Sequence, residues 1–397
     1  MEAPSRAKRA ALPMEWIDAV LADLERAGRL RTPRPLTPLD AVRAMHGSRE
    51  VVVFCSNDYL GLRDHPSLAI AARDALTEFG TGVGASRLIS GHTRLHEEAE
   101  RALAELVGLP AALLASSGYA LNVGALSALI GPDDLVFSDA LNHASLIDGI
   151  RLSRARTIIV PHNDLDAFEA LLRDVPPARR RWMVTESLFS MDGDSPDLLA
   201  LRELTARHDV ALYVDEAHAV GVVGDGGGLC RHLGVVPECL VGTLGKALGS
   251  SGAFIAGSPS LKSLLWNRCR AFVFSTGLPP TSVAPVQFAA RLIRSDPELL
   301  TSLGANIARL RAGLRESSIP HGGSELSPIV PIRLDDDRRV MRVTERLLDD
   351  GYFVQGIRPP TVPGGTSRLR VTLSAAHAPA QIDGLVAALH RRLAETP

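Results

Sequence analysis

TLGKALGSSG, residues 243–252, sets a single lysine among glycine, alanine, leucine and serine. Within ten residues of Lys246 on either side, the only acid is Glu238. Small neighbours leave room for a flat, bulky group to lie against the backbone. An apolar setting disfavours the ammonium form and lowers a lysine's pKa. A neutral amine is a nucleophile, and nucleophilic lysines form Schiff bases with carbonyl compounds. Taken alone, the stretch fits a lysine on a glycine-rich loop that reaches solvent equally well.

ALYVDEAH at 211–218 changes that balance. The apolar run Val210 to Val214 reads as a short buried strand. It ends in Asp215, followed by Glu216, Ala217 and His218. A carboxylate at the end of a buried parallel strand stands at the edge where α/β proteins bind ligands. A pyridoxal-phosphate site needs a lysine for the Schiff base and a carboxylate for the pyridinium nitrogen. Asp215 and Lys246 are that pair, in that order. Two other readings fail. A helicase-type DEAH goes with a phosphate loop GxxxxGK[ST], but Ala247 follows Lys246 and Leu240 takes the place of the first glycine. GTGVG at 80–84 follows the helix-like SLAIAARDALTEF instead of the strand that a dinucleotide fingerprint requires.

From 111 to 280 a short apolar run, a polar motif and a helical segment recur. Such alternation gives an α/β fold, a mostly parallel sheet with helices on both faces. The polar motifs all follow strands, so they converge on one edge. Ser117, Gly118 and Tyr119 open a helix, where backbone N–H groups hold anions such as a cofactor phosphate. His143 in NHAS offers a flat ring to stack on a flat cofactor. Glu186 and Ser190 are further strand-end groups in TESLFSMDGD. Two of these have a structural alternative: a satisfied structural histidine at 143, and a plain turn at MDGD.

The chain has 397 residues and a formal net charge of −2, which gives no basis for a nucleic-acid or membrane partner. Its length exceeds one compact domain. We expect an N-terminal helix and linker over 1–50, a large domain over 51–290 and a smaller α+β domain over 291–397. Met14 to Leu30 reads as an amphipathic helix with Trp16, Val20, Leu21 and Leu24 on one face, and RTPRPLTP as extended linker. Arg29 and Arg31 beside it are expected to be solvent-exposed, with a substrate role left open. VVVFCSNDYLGL at 51–62 reads as a strand and a tight turn that presents Asn57 and Tyr59. In the C-terminal part, helices are expected near 301–315, 339–350 and 380–393. Arg370, on the last strand, can reach the cleft and hold a carboxylate through two parallel hydrogen bonds. Cys55, Cys230, Cys239 and Cys269 form no CxxC, which argues against a disulfide framework or a metal site. The basic N-terminus has no long apolar core, so a cytoplasmic location is expected.

NDYLGL (57–62), SGY (117–119), NHASLIDG (142–149), TESLFSMDGD (185–194), VDEAHAVGVVG (214–224), TLGKALGSSG, FSTGLPP (274–280) and RLRVTLSAAH (368–377) resemble the signature blocks of the α-oxoamine synthases. These are pyridoxal 5′-phosphate enzymes of the fold type I, aspartate aminotransferase-like architecture. They condense an amino acid with an acyl-CoA and release carbon dioxide. The resemblance implies that Lys246 carries the cofactor, that Asp215 pairs with the pyridinium nitrogen, and that His143 stacks on the ring. It implies that His218, with Ser190, meets the cofactor's phenolic oxygen. The phosphate would rest on the Gly118 and Tyr119 backbone and the Thr243 hydroxyl. Ser275 and Thr276 would reach the phosphate of the other subunit of a homodimer. Arg370 would bind the amino acid carboxylate, with Asn57 and Glu186 near the substrate. Within that family, the IRPPTVPGGTSRLR stretch at 357–370 most resembles the branch that joins L-alanine to a pimeloyl thioester, which implies those substrates, on coenzyme A or acyl-carrier protein. Glycine with a short acyl-CoA is the alternative.

Overall fold

The computed structural model describes residues 14, 16–173, 175 and 177–395. The first thirteen residues of the expected N-terminal segment lie outside them.

Seven strands form the main sheet, in the spatial order Ala111–Ala115, Ala253–Gly257, Cys239–Thr243, Val210–Asp215, Arg181–Glu186, Leu135–Asp139, Arg156–Val160. Ala253–Gly257 runs antiparallel to both neighbours, and the other pairings are parallel. Parallel strands are joined by helices that cover both faces, so their residues are apolar on both sides. Phe137, Leu212 and Val214 pack into one core, and Val136, Val184, Tyr213 and Val241 into a second. These two sets alternate along the strands, as a pleat demands. Asp139, Glu186, Asp215 and Thr243 close four of the strands, and Glu186 lies directly across from Asp215. The sheet edge expected from the polar motifs is therefore present.

A three-stranded antiparallel sheet, Ile329–Asp335, Ser367–Thr372 and Gln355–Ile357, lies in the C-terminal part. It is accompanied by helices Pro297–Glu316, Asp337–Asp349 and Pro379–Ala394. The stretch around Asn57 is laced to the end of its central strand. Thr372 N–H donates to Phe54 O at 2.8 Å, Thr372 Oγ1 to Ser56 O at 2.7 Å, and Ala375 N–H to Tyr59 O at 2.8 Å.

Four expectations change. The segment read as linker forms strands Thr37–Pro38 and Arg43–His46, which join Arg49–Val53 and Tyr352–Phe353 in a four-stranded sheet. The strand at 49–53 thus bonds to the C-terminal part, away from the main sheet, and the expected boundary at 50/51 cuts through it. The boundary at 290/291 cuts helix Pro280–Ser295. That helix begins with Pro280 at its first position and contains Pro285, whose missing N–H breaks one turn of bonding and masks the pattern. Buried Val283, Val286, Ala289 and Ile293 hold it against the core. The N-terminal helix is shorter than expected, Trp16–Arg26, and none of its residues is buried.

Candidate active site

Lys246 sits on the turn between strands Cys239–Thr243 and Ala253–Gly257. Its Nζ lies 2.7 Å from His218 Nε2. His218 Nδ1 in turn lies 2.7 Å from Tyr59 Oη. The Tyr59 hydroxyl donates to Asn57 Oδ1 at 3.1 Å, and that oxygen also accepts from Arg370 Nη1 at 3.2 Å. Because Tyr59 donates to Asn57, its oxygen is free to accept from His218 Nδ1–H, and His218 Nε2 then accepts from Lys246. The run of bonds points one way, from the amine toward Asn57. Arg370 Nε donates to Ser190 O at 2.6 Å, which fixes the guanidinium plane and leaves other N–H groups for a ligand.

Burial depresses the Lys246 ammonium to about 8, opposed by the nearby Asp215 and Glu186 carboxylates. Burial likewise pushes His218 well below the ordinary imidazole range, aided by Lys246 and Arg370. His218 is therefore neutral at neutral pH, as the directed bonds require. Glu186 is raised to about 8, first by burial and then by Asp215 across the ladder.

Asp215 ends the central strand. Its Oδ1 accepts from Ala217 N–H at 2.9 Å and its Oδ2 from Asn122 Nδ2 at 2.7 Å. Tyr213 Oη donates to Asn122 Oδ1 at 2.8 Å, which settles the orientation of the amide. His143 caps helix Ala144–Ser153, its Nδ1 accepting from Ser145 N–H at 3.3 Å. Its own N–H donates to Glu186 Oε1 at 2.7 Å. The residue as a whole is exposed, and its remaining ring nitrogen is free of the cap. The protein packed around the imidazole nevertheless lowers its pKa, as does Lys246, partly offset by Asp215.

Ser117 caps helix Gly118–Leu129 by accepting from Ala120 N–H at 3.2 Å. The N–H groups of Gly118 and Tyr119 are then among those with no partner inside the helix. A Cβ built on Gly118 would meet nothing within 4 Å, so the space in front of them is open. The amine, the carboxylate at the strand end, the imidazole and this open helix start match the donor set of a pyridoxal-phosphate site.

Other expected residues fall differently. Tyr59, expected to be presented, is fully buried, and only its hydroxyl faces the site. Tyr119 places its side chain in solvent, where the hydroxyl donates to Asp148. The Thr243 hydroxyl closes its own turn, donating to Gly252 O at 3.1 Å and accepting from Gly245 N–H at 3.3 Å. Ser275 and Thr276 line a small cavity beside Ser116 with Arg87 and His96, and Thr276 bridges to Ser86. Ser190 enters the site through its carbonyl. Arg29 and Arg31 are exposed, as expected, and Arg31 Nη2 donates to Thr361 Oγ1 at 2.9 Å. Asn122, Ser145 and Tyr213 escaped the sequence reading. An asparagine within an apolar helix, GYALNVGALSAL, and a tyrosine within an apolar strand were the available signals.

The chain belongs to the class I and II aminotransferase family, whose model matches residues 49–389. Within it, the chain is similar to 8-amino-7-oxononanoate synthases. It is 46% identical to that of Anaeromyxobacter dehalogenans, covering 97% of each chain. It is 46% identical to that of Geobacter sulfurreducens, over 94% of this chain and 96% of the other. Among solved structures, a Sphingomonas wittichii serine palmitoyltransferase superposes with TM-score 0.91 at 30% identity, over 97% of this chain and 99% of that one. The 8-amino-7-oxononanoate synthase of Francisella tularensis superposes with TM-score 0.75 at 25% identity, over 87% and 98%.

Proposed function

We propose that the chain, with pyridoxal 5′-phosphate bound, condenses L-alanine with a pimeloyl thioester. The products are 8-amino-7-oxononanoate, carbon dioxide and the free thiol. The observation that carries this reading is the run of hydrogen bonds from the Lys246 amine through His218, Tyr59 and Asn57 to Arg370. It puts a base of lowered pKa and a carboxylate-binding guanidinium in one connected set.

Bound through Lys246, the cofactor supplies an electron sink for the charge left when a substrate carbon loses its proton. Asp215, held by Asn122, would pair with the cofactor's ring nitrogen. His143 would stack on the cofactor ring and could offer a donor toward the thioester carbonyl. The Gly118 and Tyr119 N–H groups hold the phosphate, with Ser117 securing the turn. Arg370 pairs with the alanine carboxylate, oriented by Ser190 O and Asn57. Once freed, the Lys246 amine takes the α-proton and later returns one, with His218 accepting and relaying its charge toward Tyr59. Glu186 sets the His143 backbone. We include a homodimer in the reading, with Ser275 and Thr276 contributed across the interface, and a cytoplasmic location.

A groove of about 450 Å³ beside the 357–361 loop supports the acyl partner. Arg31, Arg34 and Arg358 line it together with Leu30, Leu36 and Phe353. Arg34 is paired with Glu345, and the Arg31 and Arg358 guanidiniums beside this partly apolar wall match an aliphatic chain that ends in a carboxylate.

The test is product analysis by mass spectrometry with L-alanine and pimeloyl-CoA, and separately with glycine and acetyl-CoA. Nine-carbon aminoketone from the first pair, lost in Lys246→Ala, is the expected result. Turnover of the glycine pair alone moves the chain to a sister activity. Amino-group transfer to a 2-oxo acid, with no condensation, overturns the reading.

A further inference from the structure

One charged cluster at the same sheet edge takes no part in the chemistry above. His162 follows strand Arg156–Val160. Its Nδ1 lies 2.9 Å from Asp139 Oδ1 and its Nε2 3.0 Å from Asp194 Oδ2. Asn163 completes the group, its N–H donating to Asp139 Oδ2 at 3.1 Å and its Nδ2 to Asp194 Oδ2 at 3.3 Å. The Phe189 ring meets the imidazole edge-on, with centroids 4.4 Å apart. Burial opposes charge on His162, but its hydrogen bonds to Asp139 and Asp194 outweigh that and raise its pKa to about 10. It is a cation at neutral pH, so both ring nitrogens donate.

The two carboxylates belong to different parts of the fold. Asp139 is buried at the end of a main-sheet strand. Asp194 closes the loop 187–194, which is folded on itself: Phe189 N–H donates to Asp194 O at 2.9 Å and Gly193 N–H to Phe189 O at 2.8 Å. This loop carries the Ser190 carbonyl that receives Arg370 Nε. A continuous path therefore leads from the sheet through Asp139, His162, Asp194 and the loop to the Arg370 guanidinium.

We propose that His162 is a positioning residue for amino acid binding: by bridging Asp139 to Asp194 it fixes the 187–194 loop, and through the Ser190 carbonyl it fixes Arg370. The proposal rests on the reading of Arg370 as the group that holds the substrate carboxylate. His162 touches no substrate. It sets the angle at which Arg370 meets one, and a guanidinium off by a fraction of an ångström loses its two-point contact.

The holoenzyme is assayed with L-alanine and pimeloyl-CoA varied in turn, in wild type, His162→Gln, His162→Asn, His162→Ala, Arg370→Lys and the double variant His162→Ala/Arg370→Lys. Glutamine places a donor where Nε2 stood, facing Asp194. Asparagine places one where Nδ1 stood, facing Asp139, and leaves Asp194 unheld. KM for L-alanine should rise about tenfold in His162→Ala and His162→Asn and threefold or less in His162→Gln, with KM for pimeloyl-CoA and kcat within about twofold. Arg370→Lys should raise the L-alanine KM by itself, and adding His162→Ala to it should cost less than twofold more, because residues acting through one another are not additive. Should His162→Ala not fold, Asp194→Asn keeps the side chain's shape and is expected to show the same selective rise. If Arg370→Lys leaves the L-alanine KM unchanged, the reading of Arg370 fails and the proposal falls with it. If Arg370→Lys raises it while His162→Asn does not, only the proposal is overturned. Equal rises in both KM values, or full additivity in the double variant, reduce His162 to a structural residue and also overturn it.

Discussion

Lys246 keeps an amine near the midpoint of its titration, because burial depresses it to about 8. The neutral amine is the form that attacks a carbonyl. Uptake of pyridoxal phosphate by cofactor-stripped protein, followed by absorbance, should therefore accelerate with rising pH and level off above about 8. An uptake rate independent of pH between 7 and 9 would contradict the buried amine. Tyr59→Phe removes the hydroxyl that meets His218 Nδ1 and Asn57. Leaving the buried His218 Nδ1 unpartnered should cost about 1–3 kcal/mol in a denaturant titration, and kcat/KM should fall with it. Lys246 and Asp215 were readable from sequence because each is polar in an apolar neighbourhood, at a turn or strand end where chemistry belongs. Tyr59 was misjudged because a tyrosine in a polar turn gives no sign of which end is buried. Asn122 was missed because its partner Asp215 is 93 positions away, and only folding joins them.

Helix Ala144–Ser153 packs on helix Gly118–Leu129, and their closeness is what gathers His143, Ser145 and Asn122 around Asp215. Gly149 makes the approach possible: a Cβ there would stand 2.8 Å from Asn122 O and 2.9 Å from Leu126 Cδ1. Gly149→Ala should force the helices apart, lowering stability by about 1–3 kcal/mol and kcat more than that loss of folded protein explains. A thermal melt alongside single-turnover kinetics separates the two effects. An unchanged kcat per folded molecule would show that helix spacing does not matter to the site. At this scale the parallel strands were legible, since runs such as ALYVD and RWMVTE are apolar on both faces and stop at a polar group. The short edge strands at 37–46 were not, because two to four residues hold too little pattern.

Across the whole molecule, the Asp139–His162–Asp194 cluster links pH to stability. His162 has a folded pKa of about 10 against an ordinary 6.5. A raised pKa contributes stability in full below about pH 6.5, loses it as pH rises toward 10, and contributes nothing beyond. The stability difference between wild type and His162→Gln should accordingly be largest near pH 6 and shrink steadily toward pH 10. Urea midpoints at intervals across that range measure it, and a constant difference would rule out charge as the source. The sequence indicated two units but not how they interlock, because the residues that join them are scattered between loop and strand. Arg368 and Arg370, two apart on the last strand, both grip the 190–192 loop of the large unit, through Asp192, Met191 O and Ser190 O. That arrangement bears on recombination between relatives. A chimaera with its crossover anywhere between 194 and 329 takes the arginines from one parent and their loop from the other. Viable hybrids should therefore carry positions 190–194 and 367–372 from a single ancestor, although residues 195–366 lie between them.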